Sequence, residues 1–270
     1  MKLGVFVPLS GDVDERFRIL KENGFTTCQL NSWDPAKRTD EAAEAVNRAK
    51  EKHGIEITAF WCGWEGPAKW TFTEGPATLG IVPPAYRYQR MKNLKDGCDF
   101  AVKIGVTDVV THMGFLPENP STTEYLDVVA AIRNLAEYFK AKERYLLFET
   151  GQETPVTLLR TIEMVGTGNL GINLDTANLI LYGKANPVDA LDVFGKYVRN
   201  VHAKDGLFPT DGTNLGKEVP VGQGKANFPV LIQKLKELGY DGPLTIEREI
   251  SGEQQVKDIM MAKEYLEALL

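Results

Sequence analysis

Eight short apolar stretches, each followed by a helix-length segment, constrain this chain more than any other feature. The stretches fall at residues 3–8, 26–30, 55–61, 108–111, 145–148, 171–174, 198–201 and 244–246. Each is bounded by turn-forming residues and lacks a polar alternation, the pattern of parallel strands covered on both faces. Helices are expected over 12–23, 39–53, 85–104, 122–141, 155–165, 187–194, 228–238 and 253–269, several of them closed by Gly, as at Gly24, Gly54, Gly105 and Gly239. The unit at 171–205 shows the rhythm most plainly. One strand hands over to Asp175, a helix opens at Asn186-Pro187, and a second strand hands over to His202.

Eight strand–helix units in 270 residues with no interior linker predict a single-domain (β/α)₈ barrel spanning residues 1–270. A doubly wound open sheet is the competing arrangement. It would more often carry a Gly-rich phosphate turn after an early strand, and none is present. Two loops, 62–84 and 203–225, are too long to be mere connectors and are expected to cover a site.

A formal charge of −6, from 31 basic and 37 acidic residues, gives no general electrostatic reason to bind nucleic acid or an anionic membrane. Three cysteines without paired spacing argue against a disulfide framework or a zinc knuckle. Residues 1–5 run directly into a strand, so no signal peptide is expected, and no apolar run reaches the roughly 18 residues of a membrane span. The expectation is a cytoplasmic protein acting on a small molecule, with a homo-oligomer left open.

In a barrel the strand C-termini share one end, where active sites are built. His112, Glu149, Asp175, His202 and Glu247 all fall there. Glu149, Asp175, His202 and Glu247 form a set of three carboxylates and one imidazole, suited to a single divalent ion such as Mn²⁺, Co²⁺, Mg²⁺ or Zn²⁺. Without a cation, three like charges in one place would repel. Trp33, Trp61, Trp64, Trp70 and Phe115 lie at or after strand ends, where flat rings could stack on a sugar. His53 and Glu153 sit at helix ends, where solvation and the helix dipole account for them.

The sequences Glu149-Thr150-Gly151-Gln152-Glu153, Asp175-Thr176-Ala177-Asn178, His202-Ala203-Lys204-Asp205, Val221-Gly222-Gln223-Gly224 and Ile246-Glu247 resemble the xylose isomerase-like TIM-barrel sugar phosphate isomerase/epimerase superfamily, and its ketose 3-epimerases in particular. The resemblance covers essentially the whole chain. It implies that Glu149, Asp175, His202 and Glu247 bind one divalent metal ion. It also implies that Glu149 and Glu247 are the catalytic acid–base pair of a sugar or sugar phosphate isomerase or epimerase. Such a pair would move a proton on a carbon next to a carbonyl, through an enediolate. Substrate contacts are expected from His112, Asn178, Lys204, Asp205, Lys217, Trp33 and Trp61.

The chain departs from that pattern in two places. Asn178 stands where these epimerases usually carry His, and Lys217 is the nearest basic residue to their seventh-loop Arg. A dehydratase of the inosose type on the same barrel and a non-catalytic carbohydrate-binding barrel are the alternatives. A three-zinc nuclease is excluded by counting, since the chain has three histidines in all.

Overall fold

The computed structural model describes residues 1–270. Eight parallel strands close into a barrel: β1 (Lys2–Pro8), β2 (Thr27–Ser32), β3 (Glu56–Cys62), β4 (Asp108–Thr111), β5 (Tyr145–Glu149), β6 (Leu170–Asp175), β7 (Val198–Ala203) and β8 (Pro243–Ile246). Each strand neighbours the next in sequence, and β8 pairs with β1 to remove the sheet's edges. The outer layer is eight helices: α1 (Val13–Glu22), α2 (Asp40–His53), α3 (Pro84–Lys103), α4 (Thr123–Lys140), α5 (Pro155–Val165), α6 (Pro187–Phe194), α7 (Phe228–Glu237) and α8 (Glu253–Glu267). The expected single-domain (β/α)₈ fold is the one observed. No helix is long and apolar enough to cross a membrane.

Local chemistry sets where the helices begin. The side chains of Asp12, Thr39, Thr122, Thr154 and Asn186 each accept a backbone N–H from the first turn of the helix they precede. The main core, a cluster of 60 buried residues, lies between strands and helices. A second cluster of Ala59, Trp61, Trp64, Val110 and Leu147, with Phe6 and Tyr145 against it, fills the barrel interior. Toward the N-terminal end the interior turns polar. Arg199 binds both oxygens of Asp108 at 3.0 to 3.2 Å, Asn200 donates to the same carboxylate at 2.9 Å, and the guanidinium covers the Tyr145 ring at 3.6 Å.

Strands β5, β6 and β7 run one or two residues beyond the apolar stretches that announced them. Glu149, Asp175 and His202 therefore belong to the ladders themselves, with Asp175 paired directly to His202 across β6 and β7. The loops also hold structure that no periodicity announced: one-turn helices at Gly75–Thr78 and Asn178–Leu181, and an antiparallel hairpin of Asp205–Leu207 with Lys217–Val219.

The 62–84 loop is tied down by two buried guanidinium groups. Arg38 donates to the carbonyls of Ser32, Gly63 and Asn93 at 2.7 to 2.9 Å. Arg90 donates to Glu65, Pro67, Thr78 and Gly80 at 2.6 to 3.1 Å and lies between the rings of Trp64 and Tyr86. A segment whose length suggests a lid is thus held as a wall. Replacing Arg90 by Met orphans four carbonyls, which should cost about 2–4 kcal/mol and open residues 64–84 to protease. A variant with wild-type melting temperature and cleavage pattern would show that Arg90 does not hold this loop.

Candidate active site

The residues at the C-terminal mouth are positioned by neighbouring strands through a repeated device. The threonine after each acidic strand end stitches its strand to the next. Thr150 Oγ1 donates to the Asp175 carbonyl at 3.0 Å and accepts from the Asp175 N–H at 2.9 Å. Thr176 Oγ1 donates to the Lys204 carbonyl and accepts from the Lys204 N–H. The Glu-Thr and Asp-Thr dipeptides were visible in the sequence, but their role was not.

On this frame Glu149, Asp175, His202 and Glu247 converge, with one ligand atom from each lying within 4.8 Å of the others and all four buried. His202 Nδ1 stands 3.0 Å from Glu149 Oε1, 3.3 Å from Glu247 Oε2 and 3.8 Å from Asp175 Oδ2. Its other ring nitrogen, Nε2, meets Gln29 Oε1 at 2.6 Å, while Gln29 Nε2 donates to Asn173 Oδ1 at 3.1 Å. Because the amide N–H₂ of Gln29 is committed to Asn173, its oxygen must accept from His202 Nε2. That leaves Nδ1 facing the carboxylates as a ligand atom. Gln29, midway along β2, went unnoticed in the sequence because a lone Gln in a strand carries no signal.

Asp175 divides its two oxygens. Oδ1 accepts from the backbone N–H of Ala177 and Asn178 at 2.8 and 2.7 Å, capping the one-turn helix, while buried Oδ2 has no hydrogen-bond partner. Glu247 Oε2 is likewise buried and accepts no hydrogen bond, with His202 Nδ1 and Lys204 Nζ 3.3 and 3.4 Å away. Glu149 is held at both oxygens: Trp61 Nε1 donates to Oε2, His112 Nε2 lies 3.3 Å from the same atom, and His202 faces Oε1.

The electrostatics show how strongly this cluster demands positive charge. Burial pushes the His202 imidazole down, yet Glu247 and Glu149 push harder and hold it well above the ordinary value. Burial also opposes charge on Lys204, but Glu247, Glu249 and Asp175 hold its ammonium well above the usual lysine value. Asp175 is raised by burial and lowered further by Lys204 and His202, leaving it well below the usual carboxylate range. Glu247, for which burial outweighs its cationic neighbours, is pushed up to about 7. Three carboxylates, two of whose oxygens accept no hydrogen bond, and one imidazole whose Nδ1 can exchange its proton for a metal ion fit a divalent cation, and these four residues could hold one.

Glu149 and Glu247 of the cluster line a cavity of about 420 Å³, with Asp175 and His202 buried behind them. Trp33, Trp61 and Trp70 line another side, with Trp33 stacked on Trp61 at 5.4 Å and Trp70 edge-on to His112 at 5.0 Å. Asn31, His112, Asn178, Gln152, Tyr182 and Glu249 complete the polar lining. Lys204 is buried behind it, its Nζ 2.9 Å from Glu249 and 3.3 Å from Asn178 Oδ1.

Two expected substrate residues lie elsewhere. Asp205 has both oxygens committed to the backbone N–H groups of Gly206, Gly222, Gly224 and Ala226 at 2.9 to 3.0 Å, so it anchors the 203–225 loop. The Gly-x-Gly sequence exists for this contact: Gly222 has φ +86°, and a Cβ on Gly224 would stand 2.1 Å from Asp205 Oδ1. Lys217 is exposed on the hairpin opposite Leu207, and Leu215 takes the place at the cavity. Gln152, Tyr182 and Glu249 are lining residues that sequence reasoning missed, since nothing in their spacing marks them.

The family description "Xylose isomerase-like TIM barrel" matches residues 17–268. The chain belongs to this family. An uncharacterized protein of Methanocaldococcus jannaschii is 30% identical over 210 residues, 71% of this chain and 69% of that one. The crystal structure of a xylose isomerase domain protein from Planctomyces limnophilus superposes with a TM-score of 0.93 at 35% identity, covering 99% of this chain and 96% of the other. A D-tagatose 3-epimerase-like protein follows the same fold with a TM-score of 0.76 at 22% identity, over 100% and 98% of the two chains. Sugar epimerases and a probable 3-DHS dehydratase share the barrel.

Glu153 is buried behind this mouth with an unpaired oxygen, and burial pushes its carboxyl up to about 7. The unfolded chain ionises this group near its ordinary value while the folded one retains the proton. Stability is therefore lost as pH rises from about 4.5 to 7, by on the order of 2–3 kcal/mol. Glu153→Gln should raise the melting temperature at pH 8 and leave it unchanged near pH 4.5. An equal effect at both pH values would mean that the carboxyl is not held protonated.

Proposed function

We propose that this protein is a divalent-metal-dependent sugar isomerase or epimerase that moves a proton on a carbon next to a carbonyl. The observation that carries this reading is the pair Glu149 and Glu247. They leave β5 and β8, three positions apart around the closed barrel, and both border the same cavity beside the ion-binding cluster. A substrate lying between them meets one carboxyl group on each side. One takes the proton and the other returns it to the opposite face, the arrangement that inversion of a carbon centre requires.

The cation, when bound, supplies Lewis-acid stabilisation of the negative charge that develops on the substrate oxygens. The chain does the rest. Trp61 and His112 fix the orientation of Glu149, Gln29 keeps His202 Nδ1 turned to the cluster, and the tryptophan side keeps water from one face of the substrate. His112 Nδ1, buried and unpaired, is available to a substrate hydroxyl, and Asn178 offers its amide N–H₂ because Lys204 occupies its oxygen.

Metal analysis tests the cluster. Asp175→Asn keeps the cap on Ala177 and Asn178 while weakening the free ligand oxygen, and His202→Ala removes the imidazole. Both should lose most bound Mn²⁺, Co²⁺, Mg²⁺ or Zn²⁺, and chelation should lower the wild-type melting temperature toward theirs. Full metal occupancy in both variants would sink the ligand set.

The chemistry has its own test. Glu149→Gln and Glu247→Gln should each lower turnover by roughly 10²–10⁴-fold, the usual contribution of an acid–base group. Wild-type turnover in D₂O should place deuterium on the carbon next to the carbonyl. A product lighter by one water would identify a dehydratase, and a substrate converted without deuterium uptake would point to a hydride shift. Full activity in either glutamine variant would remove that glutamate from proton transfer.

A further inference from the structure

Most polar groups around the cavity already have work. Glu149 is held by Trp61, His112 and His202, and Lys204 bonds to Glu249 and Asn178. Besides His112 Nδ1, two side chains stand apart. Gln152 is 2% exposed and Tyr182 is 5% exposed, both line the cavity, and beyond the reach of the Gln152 amide to the Tyr182 hydroxyl neither side chain bonds to any other group. Buried amides and phenols are seldom left unpaired, because each loses its hydration and gains nothing in return. An amide and a phenol that line one cavity with no third residue to satisfy them are a prepared site for hydrogen-bonding groups of a ligand.

Their support is rigid. The Tyr182 ring is gripped edge-on by Phe72 and Phe115 at 6.1 and 5.8 Å, and its backbone N–H closes the one-turn helix onto the Asn178 carbonyl at 2.9 Å. Gln152 follows Gly151, where a Cβ would press within 3.2 Å of Asn178, so the loop passes close under the cavity. Burial pushes the Tyr182 phenol up to about 12, and it stays an O–H donor at neutral pH.

The charge of the lining narrows what these groups can receive. Glu149, Glu247 and Glu249 face the cavity and no arginine or lysine does. The one nearby ammonium, Lys204, is buried and committed to Glu249 at 2.9 Å, Glu247 at 3.4 Å and Asp175 at 3.7 Å. A phosphate or carboxylate on the ligand would find no free cationic side chain and would meet carboxylates instead. Gln152 offers a donor and an acceptor, and Tyr182 a donor with lone pairs, which is what paired hydroxyl groups need.

We propose that Gln152 and Tyr182 determine specificity by reading hydroxyl groups on an uncharged polyol segment of the substrate, and that the site rejects phosphorylated sugars. This rests on the carbohydrate reading of the cavity and deepens it. The two side chains act in binding and take no part in proton transfer. Their loss therefore raises KM and leaves kcat nearly unchanged.

The test uses the full chain loaded with Mn²⁺ and calorimetry with D-fructose, D-tagatose, a panel of their monodeoxy analogues and D-fructose 6-phosphate. The wild type should bind a free ketohexose at least about tenfold more tightly than the 6-phosphate. Tyr182→Phe keeps the ring between Phe72 and Phe115 and should weaken that binding about three- to tenfold, with Gln152→Ala weaker still. One monodeoxy sugar that binds poorly to the wild type should bind Tyr182→Phe as well as its parent does, which a merely structural role for the phenol would not produce. Unchanged affinity in both variants, or a 6-phosphate bound as tightly as the free sugar, would overturn the proposal. Binding that depends on Gln152 and Tyr182 without turnover would uphold it and defeat the proposed reaction. Turnover indifferent to both substitutions would do the reverse, and no ketohexose binding by the wild type would defeat both.

Discussion

Three buried carboxylates at one end of the barrel impose the constraint on which the rest of the site depends. Glu149, Asp175 and Glu247 cannot share that space as bare charges, and everything placed around them relieves part of the repulsion. His202 and Lys204 supply cationic character from the adjoining strand, Trp61 donates to Glu149, and His112 Nε2 lies 3.3 Å from the same oxygen. Asp175 Oδ2 and Glu247 Oε2 accept no hydrogen bond, and a divalent ion satisfies such oxygens without adding a side chain. The barrel makes this crowding possible because adjacent parallel strands deliver their last side chains to one mouth in fixed register.

Rigidity is distributed in the same spirit. Threonine hydroxyls lock the ends of β5, β6 and β7 to one another, and Gln29 reaches His202 from β2. Arg38 and Arg90 fasten the tryptophan-bearing loop, while Asp205 fastens the loop after β7. Arg38, Arg90 and Asp205 are each a buried charge facing several backbone groups, so each is strong only while all its partners stay in place. The cavity is thus formed before any ligand arrives, which lowers the ordering cost of binding.

Much of this was legible in the chain. The alternation of short apolar runs with amphipathic segments selects a closed parallel barrel, since strands covered on both faces and joined by helices have few other ways to pack. The strand-end positions of Glu149, Asp175, His202 and Glu247 follow from that register. The Asp-to-glycine contact was half legible: the Gly-x-Gly spacing could be seen, but the Asp205 carboxylate it accommodates was read as a substrate group. Lys217 has the charge and sequence position of a substrate group, but the hairpin turns it outward and brings Leu215 to the cavity.

The sequence by itself determined the fold and the identity of the four clustered side chains, because periodicity and strand order are local, repeating properties. Only the tertiary structure decided which oxygen of Asp175 is spent on a cap and which nitrogen of His202 faces the carboxylates. It alone showed that Gln152 and Tyr182 line the cavity with no third residue to satisfy them. Those outcomes turn on contacts between strands and loops far apart in the chain, where a single hydrogen bond redirects a side chain and leaves no periodic trace.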